Sequence, residues 1–534
     1  MAQRHDRFQA VLDTGLASRR VEMLLLLAVW VLFLILSLRA FGPDSVYTVY
    51  NSDVAIPVLM ANDDRPITIF DTYYYAADRW GGWPMLLAKW LHLNIGVQWT
   101  DQRLHYVRTT WLFIGLLFLA ALNARAGPAV FISVLIVLCL EPNVRMRMFD
   151  LSQLYAWQLP ALFIAWFCLR RLLTQASVRV RQIFWGAAFY LSALFAIWSS
   201  VASVPFLGLL MALETLRSWF LFQKTVTKRR IGLAVALLLA ATACEFLMKW
   251  NYHRHSVKHF GFDFKTEMAF DSGYLYQNLL TNGHTVVQYL FFPFILIALS
   301  FIAGAAGRIL YTCVADKGAL RTRLVSFFAD ETATMIVALT AIAAVNFVIM
   351  IFVSHVRSSG YDDRFHVPTY FFGAIAGLLS IYLTIRLFAN RIGVSRYVLP
   401  LILVGAFLFL GVKFPPRKVN EAYQVDRETA LALSHKAPGA MLMGGYWETY
   451  IFAGLQPANR MTPLPFEGLL NRMPWTTGLL KGSKEVVIEY RNRGPLPNKS
   501  SLPNELVQYG NSLKLQDARF YENGPYAFAL YTKQ

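Results

Sequence analysis

Charge is scarce in this chain, and acidic charge scarcer still. Only 15% of its 534 residues are Asp, Glu, Lys or Arg, against about 25% in a typical soluble domain. With 56% hydrophobic residues, that shortage excludes a disordered chain and an ordinary soluble enzyme. Cysteine is nearly absent too: there are four. Cys139, Cys168 and Cys244 lie in apolar segments and Cys313 in a basic loop, so no disulfide framework is available. Internal repeats, low-complexity tracts and the G-x-G-x-x-G phosphate fingerprint are missing as well.

What is plentiful is long apolar sequence. A run of about 20 apolar residues can cross the hydrocarbon core as a helix. Candidates fall near 22–41, 105–122, 128–141, 153–169, 183–198, 202–220, 231–248, 286–307, 332–353, 368–385 and 397–412. The expectation is a polytopic α-helical membrane protein of about eleven transmembrane helices. The first run is too long, and lacks the small-residue site, for a cleaved signal peptide.

Basic residues alternate along the loops. Arg4, Arg7, Arg19 and Arg20 precede the first run, and every second loop is short and basic, as with Lys224, Lys228, Arg229 and Arg230. The intervening loops, 42–104, 142–152, 249–285 and 354–367, are chemically mixed. This asymmetry places the N-terminus in the cytoplasm and the C-terminus on the far side. The formal net charge of +18 then reads as a topology signal, and nucleic acid is not expected as a partner. Membrane lipid is.

Residues 413–534 differ in kind. They open on Pro415-Pro416-Arg417-Lys418 and lack long apolar runs. Met441–Gly444 and Val486–Tyr490 read as short buried strands, and 514–533 as a hairpin around Glu522-Asn-Gly-Pro525. The expected organisation is a membrane domain over 1–412, including the outward loop 42–104, and a soluble α/β domain over 413–534.

The outward loops hold most of the unusual chemistry. Loop 42–104 is acidic and aromatic, so interfacial helices are expected over 53–62 and 70–80. Asp53 opens the first of them. It reads either as a helix cap or, with Asn51 or Ser52 capping instead, as a carboxylate favoured by the helix dipole and able to take a hydroxyl proton. Asp63-Asp64-Arg65-Pro66 reads as a solvated turn, and Asp71 and Asp78 as solvent-exposed. The second loop sets Arg145 and Arg147 beside Asp150, either as snorkelling side chains or as phosphate-facing groups. The third holds His253, Arg254, His255, Lys258, His259 and Asp263. Cations among these histidines disfavour zinc and favour an anionic headgroup or leaving phosphate. The fourth runs from Ser354 to Pro368 and offers Arg364 as a fork for phosphate, or as a partner for Asp362 or Asp363. In the tail, Gly444-Gly445-Tyr446-Trp447-Glu448-Thr449-Tyr450 suits packing or acceptor contact.

In order, these pieces resemble the GT-C glycosyltransferases that use polyprenyl-phosphate sugars, the superfamily of protein mannosyltransferases and lipid A aminoarabinose transferases. The resemblance rests on an early acidic residue after the first span (Asp53), Tyr73-Tyr-Tyr-Ala-Ala followed by Gly82-Trp-Pro84, a second-loop carboxylate (Asp150), and Arg364-Phe-His-Val-Pro368, similar to an Arg-Tyr-x-x-Pro string. It implies a polyprenyl-phosphate sugar as donor and a glycan, lipid or protein as acceptor. It also implies a bacterial inner membrane with the terminal domain periplasmic. In such a family Asp53 acts as base, Asp150 as a second acidic group, and Arg364 as phosphate clamp. Arg145, Arg147, His255 and Lys258 would support the clamp, while Tyr74 and Trp83 contact sugar or lipid. Ser52-Asp53 stands where a paired Asp-Glu or Asp-Asp is usual, which leaves divalent-metal dependence open. The Trp-Trp-Asp string of oligosaccharyltransferases is missing. A polymerase or ligase using a pyrophosphate-linked donor, a lipid-linked substrate transporter, and a non-catalytic receptor or assembly protein remain as alternatives.

Overall fold

The computed structural model describes residues 24, 27–63, 65–75, 80–91, 99–123, 126–175, 179–222, 224–255, 268, 270–315, 319–392, 395–457, 461–466, 471–490 and 502–534. Seven helices among them are long and apolar enough to span a bilayer: Thr100–Ala121, Arg179–Ser199, Ser203–Leu221, Lys228–His255, Phe292–Tyr311, Glu331–Phe352 and Asp363–Asn390. Gly127–Leu140 and Pro142–Phe149 make an eighth if the pair, bent by 100°, counts as one span. The chain is a multi-pass membrane protein, and among the described residues seven or eight of the eleven expected spans meet that length and apolarity.

The reasons differ by segment. Leu27–Ala40 is apolar but short. The chain breaks at Glu141-Pro142 because proline cannot donate to the preceding turn. Tyr155–Gln175 is helical, yet Gln158, Arg170 and Arg171 interrupt its apolar run. Ser395–Lys413 is helical too and falls outside the seven.

Tyr155–Gln175 packs against Thr100–Ala121, Arg179–Ser199 and Ser203–Leu221, deep in the bundle. Gly115 lets two of these helices touch: a Cβ there would lie 2.3 Å from Pro160 Cα. Val367–Arg391 plays the same central part for Glu331–Phe352, Phe292–Ala315 and Gly127–Leu140. Large buried side chains such as Trp166, Phe113, Phe131 and Tyr370 fill one continuous core.

Polar contacts divide between the two ends of the bundle. At one end, Arg170 Nη2 meets Glu214 Oε1 at 2.5 Å and Arg217 Nη1 lies 3.6 Å from Glu214 Oε2. Arg170 also donates to the Leu122 carbonyl, and Arg217 Nη2 lies 3.6 Å from Glu331 Oε1. The other end gathers the described parts of the mixed loops and the C-terminal domain. There Arg147 bonds Asp362, Trp83 bonds Ser199, and Met268 bridges Val353.

The C-terminal domain is a six-stranded mixed sheet in the order β2-β1-β3-β6-β5-β4. Its strands are β1 (Met441–Gly444), β2 (Thr462–Pro465), β3 (Glu485–Glu489), β4 (Glu505–Gln508), β5 (Asn511–Asn523) and β6 (Tyr526–Lys533). β1 runs parallel to β2 and β3, and the remaining pairs are antiparallel. Alternation along the strands covers both faces. Leu442, Val487 and Phe528 pack under the helices Glu421–Lys436 and Tyr446–Gly454, while Met443, Ile488 and Tyr531 form a second core. The expected hairpin is present, with Gly524 at φ +52° in its turn.

Two linkers join the domain to the bundle. Ser45 and Val419 form a bridge, Asn420 N donates to Asp44 O at 2.7 Å, and Arg417 pairs with Asp44 at 2.8 Å.

Candidate active site

Asp53 lies in the first turn of the helix Ser52–Asn62. The cap is Asn51, whose side chain accepts from Val54 N at 3.0 Å. The Asp53 carboxylate is therefore free of capping duty. Its carbonyl accepts from the Tyr74 hydroxyl at 2.9 Å, so one of the expected contact residues does reach it.

Two more groups come from the far end of the chain. The Tyr446 hydroxyl lies 3.4 Å from Asp53 Oδ1, and Arg472 Nε donates to the same hydroxyl at 3.4 Å. Arg472 N donates to Tyr450 OH at 2.7 Å, which fixes the loop that carries it. Gly454 makes this approach feasible, since a Cβ there would sit 3.0 Å from Ala55 Cβ and 2.9 Å from Tyr50 OH. Burial pushes the Tyr446 hydroxyl up, Arg472 draws it down, Asp53 pushes it up again, and the net direction is up. It therefore stays protonated and donates. Tyr446→Phe is expected to lower kcat about 10-fold, about 1.4 kcal/mol, with donor KM within about twofold of wild type. Steady-state turnover measures both.

Beside this group lies a second acidic cluster. Arg65 Nη2 meets Asp63 Oδ2 at 2.5 Å and lies 3.6 Å from Asp71 Oδ1. The Tyr75 hydroxyl is 2.7 Å from Asp63 Oδ2, and the Arg65 guanidinium stacks 3.6 Å from the Trp475 ring. Burial alone would raise the Asp63 carboxyl. Hydrogen bonds from Arg65 and Tyr75 outweigh it and hold the carboxyl below its ordinary range. Two expectations are thus corrected. Asp63 and Asp71 are buried rather than solvated, because Arg65, Tyr75 and Thr68 supply their hydrogen bonds. Asp64 and Asp78 lie outside the described residues. Where the expected helix over 70–80 is described, at 70–75 and 80, it is replaced by a single 3-10 turn at Ile69–Asp71 and a Tyr73–Gly81 bridge, while 76–79 lie outside the described residues.

Asp150 follows the short helix Pro142–Phe149 and is buried. Ser152 donates to its Oδ1 from both backbone and hydroxyl at 2.8 Å. Burial raises its carboxyl, against the pull of Ser152, Arg108 and Arg147. A small cavity of about 20 Å³ lies beside the Asp53 helix and the segment that follows Asp150, lined among others by Pro57, Tyr74, Trp80, Leu151, Ser152 and Trp157. Since the folded-state pKa of Asp150 is raised, the folded protein holds this proton after the unfolded chain has released it, and stability falls as pH rises through that window. Asp150→Asn is therefore expected to raise the unfolding temperature at about pH 8, and the gain should vanish by about pH 4, the ordinary carboxylate range. Thermal unfolding across pH measures it.

The cations divide into groups. Arg147 Nη2 lies 3.0 Å from Asp362 Oδ1 and 3.3 Å from Asp363 Oδ1. Arg364 shares Asp362, with Nε at 3.6 Å, and its side chain remains 34% exposed. Burial would raise Asp362, but the Arg364 N–H, Asp363 and Arg147 hold it low. Arg145 turns away: it donates to the Cys139 carbonyl at 2.8 Å and faces the Phe41 and Tyr47 rings. Trp83 is buried, stacked on Phe195, with its N–H taken by Ser199 at 2.7 Å. His255 is exposed at the end of Lys224–His255, with its Nδ1 2.9 Å from Asn251 O of its own helix. Lys258, with His259 and Asp263, lies outside the described residues.

The structure thus brings together Asp53 and Tyr74, and separately Arg147 and Arg364, near Asp150. Tyr446 and Arg472 were not expected there. The Gly-Gly-Tyr-Trp motif signals the first, and nothing in the sequence signals the second. Among the described residues, no three His, Cys, Asp or Glu side chains are grouped to hold a metal ion.

Solved structures with a related chain path exist. ArnT from Cupriavidus metallidurans bound to undecaprenyl phosphate is 14% identical, with a TM-score of 0.47 over 97% of this chain and 98% of that one. The archaeal oligosaccharyltransferase AglB from Archaeoglobus fulgidus, in complex with an inhibitory peptide and a dolichol-phosphate, is 12% identical, with a TM-score of 0.42 over 88% and 69%. No family model matches the sequence, and no curated protein does. Likeness of this degree transfers no activity, and the chemistry is read from the residues above.

Proposed function

We propose that this chain is a membrane glycosyltransferase that moves a sugar from a polyprenyl-phosphate donor to a glycan, lipid or protein acceptor, with inversion. The observation that carries the reading is the Asp53 carboxylate. It is released from capping by Asn51, sits in the first turn of a helix, and is overlaid by Tyr446 and Arg472 of the C-terminal domain.

The chemistry asks for few groups. A base must take the proton of the attacking hydroxyl, and Asp53 fills that role. Negative charge grows on the leaving lipid phosphate, and cationic donors belong where it develops. Arg364, partly exposed and only loosely paired with Asp362, is suited to that task, with Arg147 behind it. Asp150, buried near both, orients the acceptor or the base. The acceptor oxygen, giving its proton to the carboxylate, bonds to the anomeric carbon on the face opposite the lipid phosphate as the carbon–phosphate-oxygen bond breaks, which inverts the anomeric centre. Under this reading the mixed-loop end faces the periplasm of a bacterial inner membrane and the N-terminus faces the cytoplasm.

The test is release of polyprenyl phosphate from a panel of synthetic lipid-linked sugars by the purified chain in lipid nanodiscs. Sugar-dependent release, stimulated by an acceptor fraction, supports a transferase and names its donor. No release from any donor by folded protein moves the reading to transport or binding.

A further inference from the structure

A second polar cleft opens where the first helix, the span Thr100–Ala121 and the linker into the C-terminal domain meet. Arg39, Gln102, His105, Tyr106, Thr109 and Arg417 line it, around about 220 Å³. None of these residues belongs to the Asp53 or Arg364 groups.

Its construction is regular. Positions 102, 105, 106 and 109 fall three and four apart, so they occupy one face of the span helix. A polar face on a membrane helix is expensive against hydrocarbon and marks a ligand or a water-filled space. His105 is buried, and Arg108 donates to its Nδ1 at 2.8 Å. Arginine can only donate, so the imidazole proton resides on Nε2 and the ring remains a donor. Thr109 is oriented by its bond to His105 O at 2.7 Å. Arg39 is exposed at the end of the helix Leu27–Ala40 and has no ion pair among the described residues. Arg417 is 57% exposed and reaches the cleft from the linker, with Asp44 at 2.8 Å as the lone carboxylate of the lining.

We propose that this cleft binds the negatively charged phosphate of a lipid headgroup. Two guanidinium forks suit phosphate oxygens, and the Nε2–H, amide and hydroxyl groups supply neutral donors beneath them. The cleft lies between the end of the apolar helix Leu27–Ala40 and the start of the span Thr100–Ala121, and the ends of membrane spans are where lipid headgroups are met. The proposal stands apart from the transferase reading and does not need it. A bulk anionic phospholipid and a polyprenyl phosphate share this chemistry, and the experiment separates them.

Native mass spectrometry of the delipidated full chain in detergent is the test, with phosphatidylglycerol, undecaprenyl phosphate and inorganic phosphate as separate probes. In the Arg364→Gln background, which removes the phosphate clamp of the proposed active site, the expected result is one lipid per chain, bound at least about 10-fold more weakly when Arg39→Gln/Arg417→Gln is added. Tight binding of phosphatidylglycerol assigns bulk lipid, and tight binding of undecaprenyl phosphate alone assigns the polyprenyl headgroup. Asp44→Asn, which removes the competing carboxylate, should tighten binding severalfold. Arg39→Gln removes an exposed side chain and tests the site even where the double variant unfolds. Undiminished binding when Arg39→Gln/Arg417→Gln is added in that background, absence of any bound lipid in Arg364→Gln alone, or binding of inorganic phosphate as tightly as lipid overturns the proposal.

Discussion

Asp53→Asn is expected to lower turnover of the lipid-linked donor by about 10²- to 10⁴-fold, the range for removal of a general base, with the unfolding temperature within a few degrees of wild type. The argument rests on what Asp53 does not do. The helix is capped by Asn51 at 3.0 Å, so the substitution removes no cap. Asparagine keeps an oxygen for the Tyr446 hydroxyl, and the Tyr74 bond goes to the backbone carbonyl. What disappears is a negatively charged proton acceptor. Donor binding should persist, because the groups assigned to phosphate are Arg364 and Arg147. The measurement is single-turnover release of polyprenyl phosphate, with donor affinity determined alongside. Wild-type turnover in the folded variant would falsify Asp53 as the base.

The largest expected stability effect lies at the opposite end of the bundle. Glu214 is buried and accepts from Trp166 Nε1 at 2.8 Å and Arg170 Nε at 2.9 Å, with Arg217 at 3.6 Å. Glu214→Gln leaves the Arg170 and Arg217 charges facing each other with their shared counterion gone. Removing one partner of a buried pair costs about 3–5 kcal/mol. The network ties Tyr155–Gln175 to Ser203–Leu221 and, through the Leu122 carbonyl, to the end of Thr100–Ala121. The expected outcome is a marked drop in unfolding temperature in detergent. Combining it with Arg170→Met should restore much of the loss, because neither partner is then left charged and alone. A neutral Glu214→Gln would mean that water or lipid reaches this network.

Much of this arrangement was legible in the sequence. Helices occupy the apolar runs, and the second and fourth mixed loops, expected to lie together, are joined by Arg147–Asp362. The β1 and β3 strands and the 514–533 hairpin follow from runs of Met, Leu, Val and Ile and from an Asn-Gly turn. The span count did not follow, because a buried helix such as Tyr155–Gln175 holds Arg170 inside protein, where a lipid-facing helix would not. Aromatic residues misled as well. Tyr74 reaches Asp53 whereas Trp83 is packed away on Phe195, and composition does not separate the two environments. Asp63 and Asp71 looked solvated because their partners, Arg65 and Tyr75, become neighbours only when the loop closes. Arg472 left no trace at all, since its approach to Asp53 depends on the packing of two helices distant in sequence.

That distance has a consequence for synthesis. Tyr446 follows Asp53 by 393 residues, roughly 20–80 s of translation at about 5–20 residues per second. For that interval the growing chain already displays Asp53 without the tyrosine and arginine that overlay it. A ribosome stalled before the last segment therefore leaves a protein whose acidic group is unfinished. The order of assembly thus delays completion of the site until the C-terminal domain has emerged.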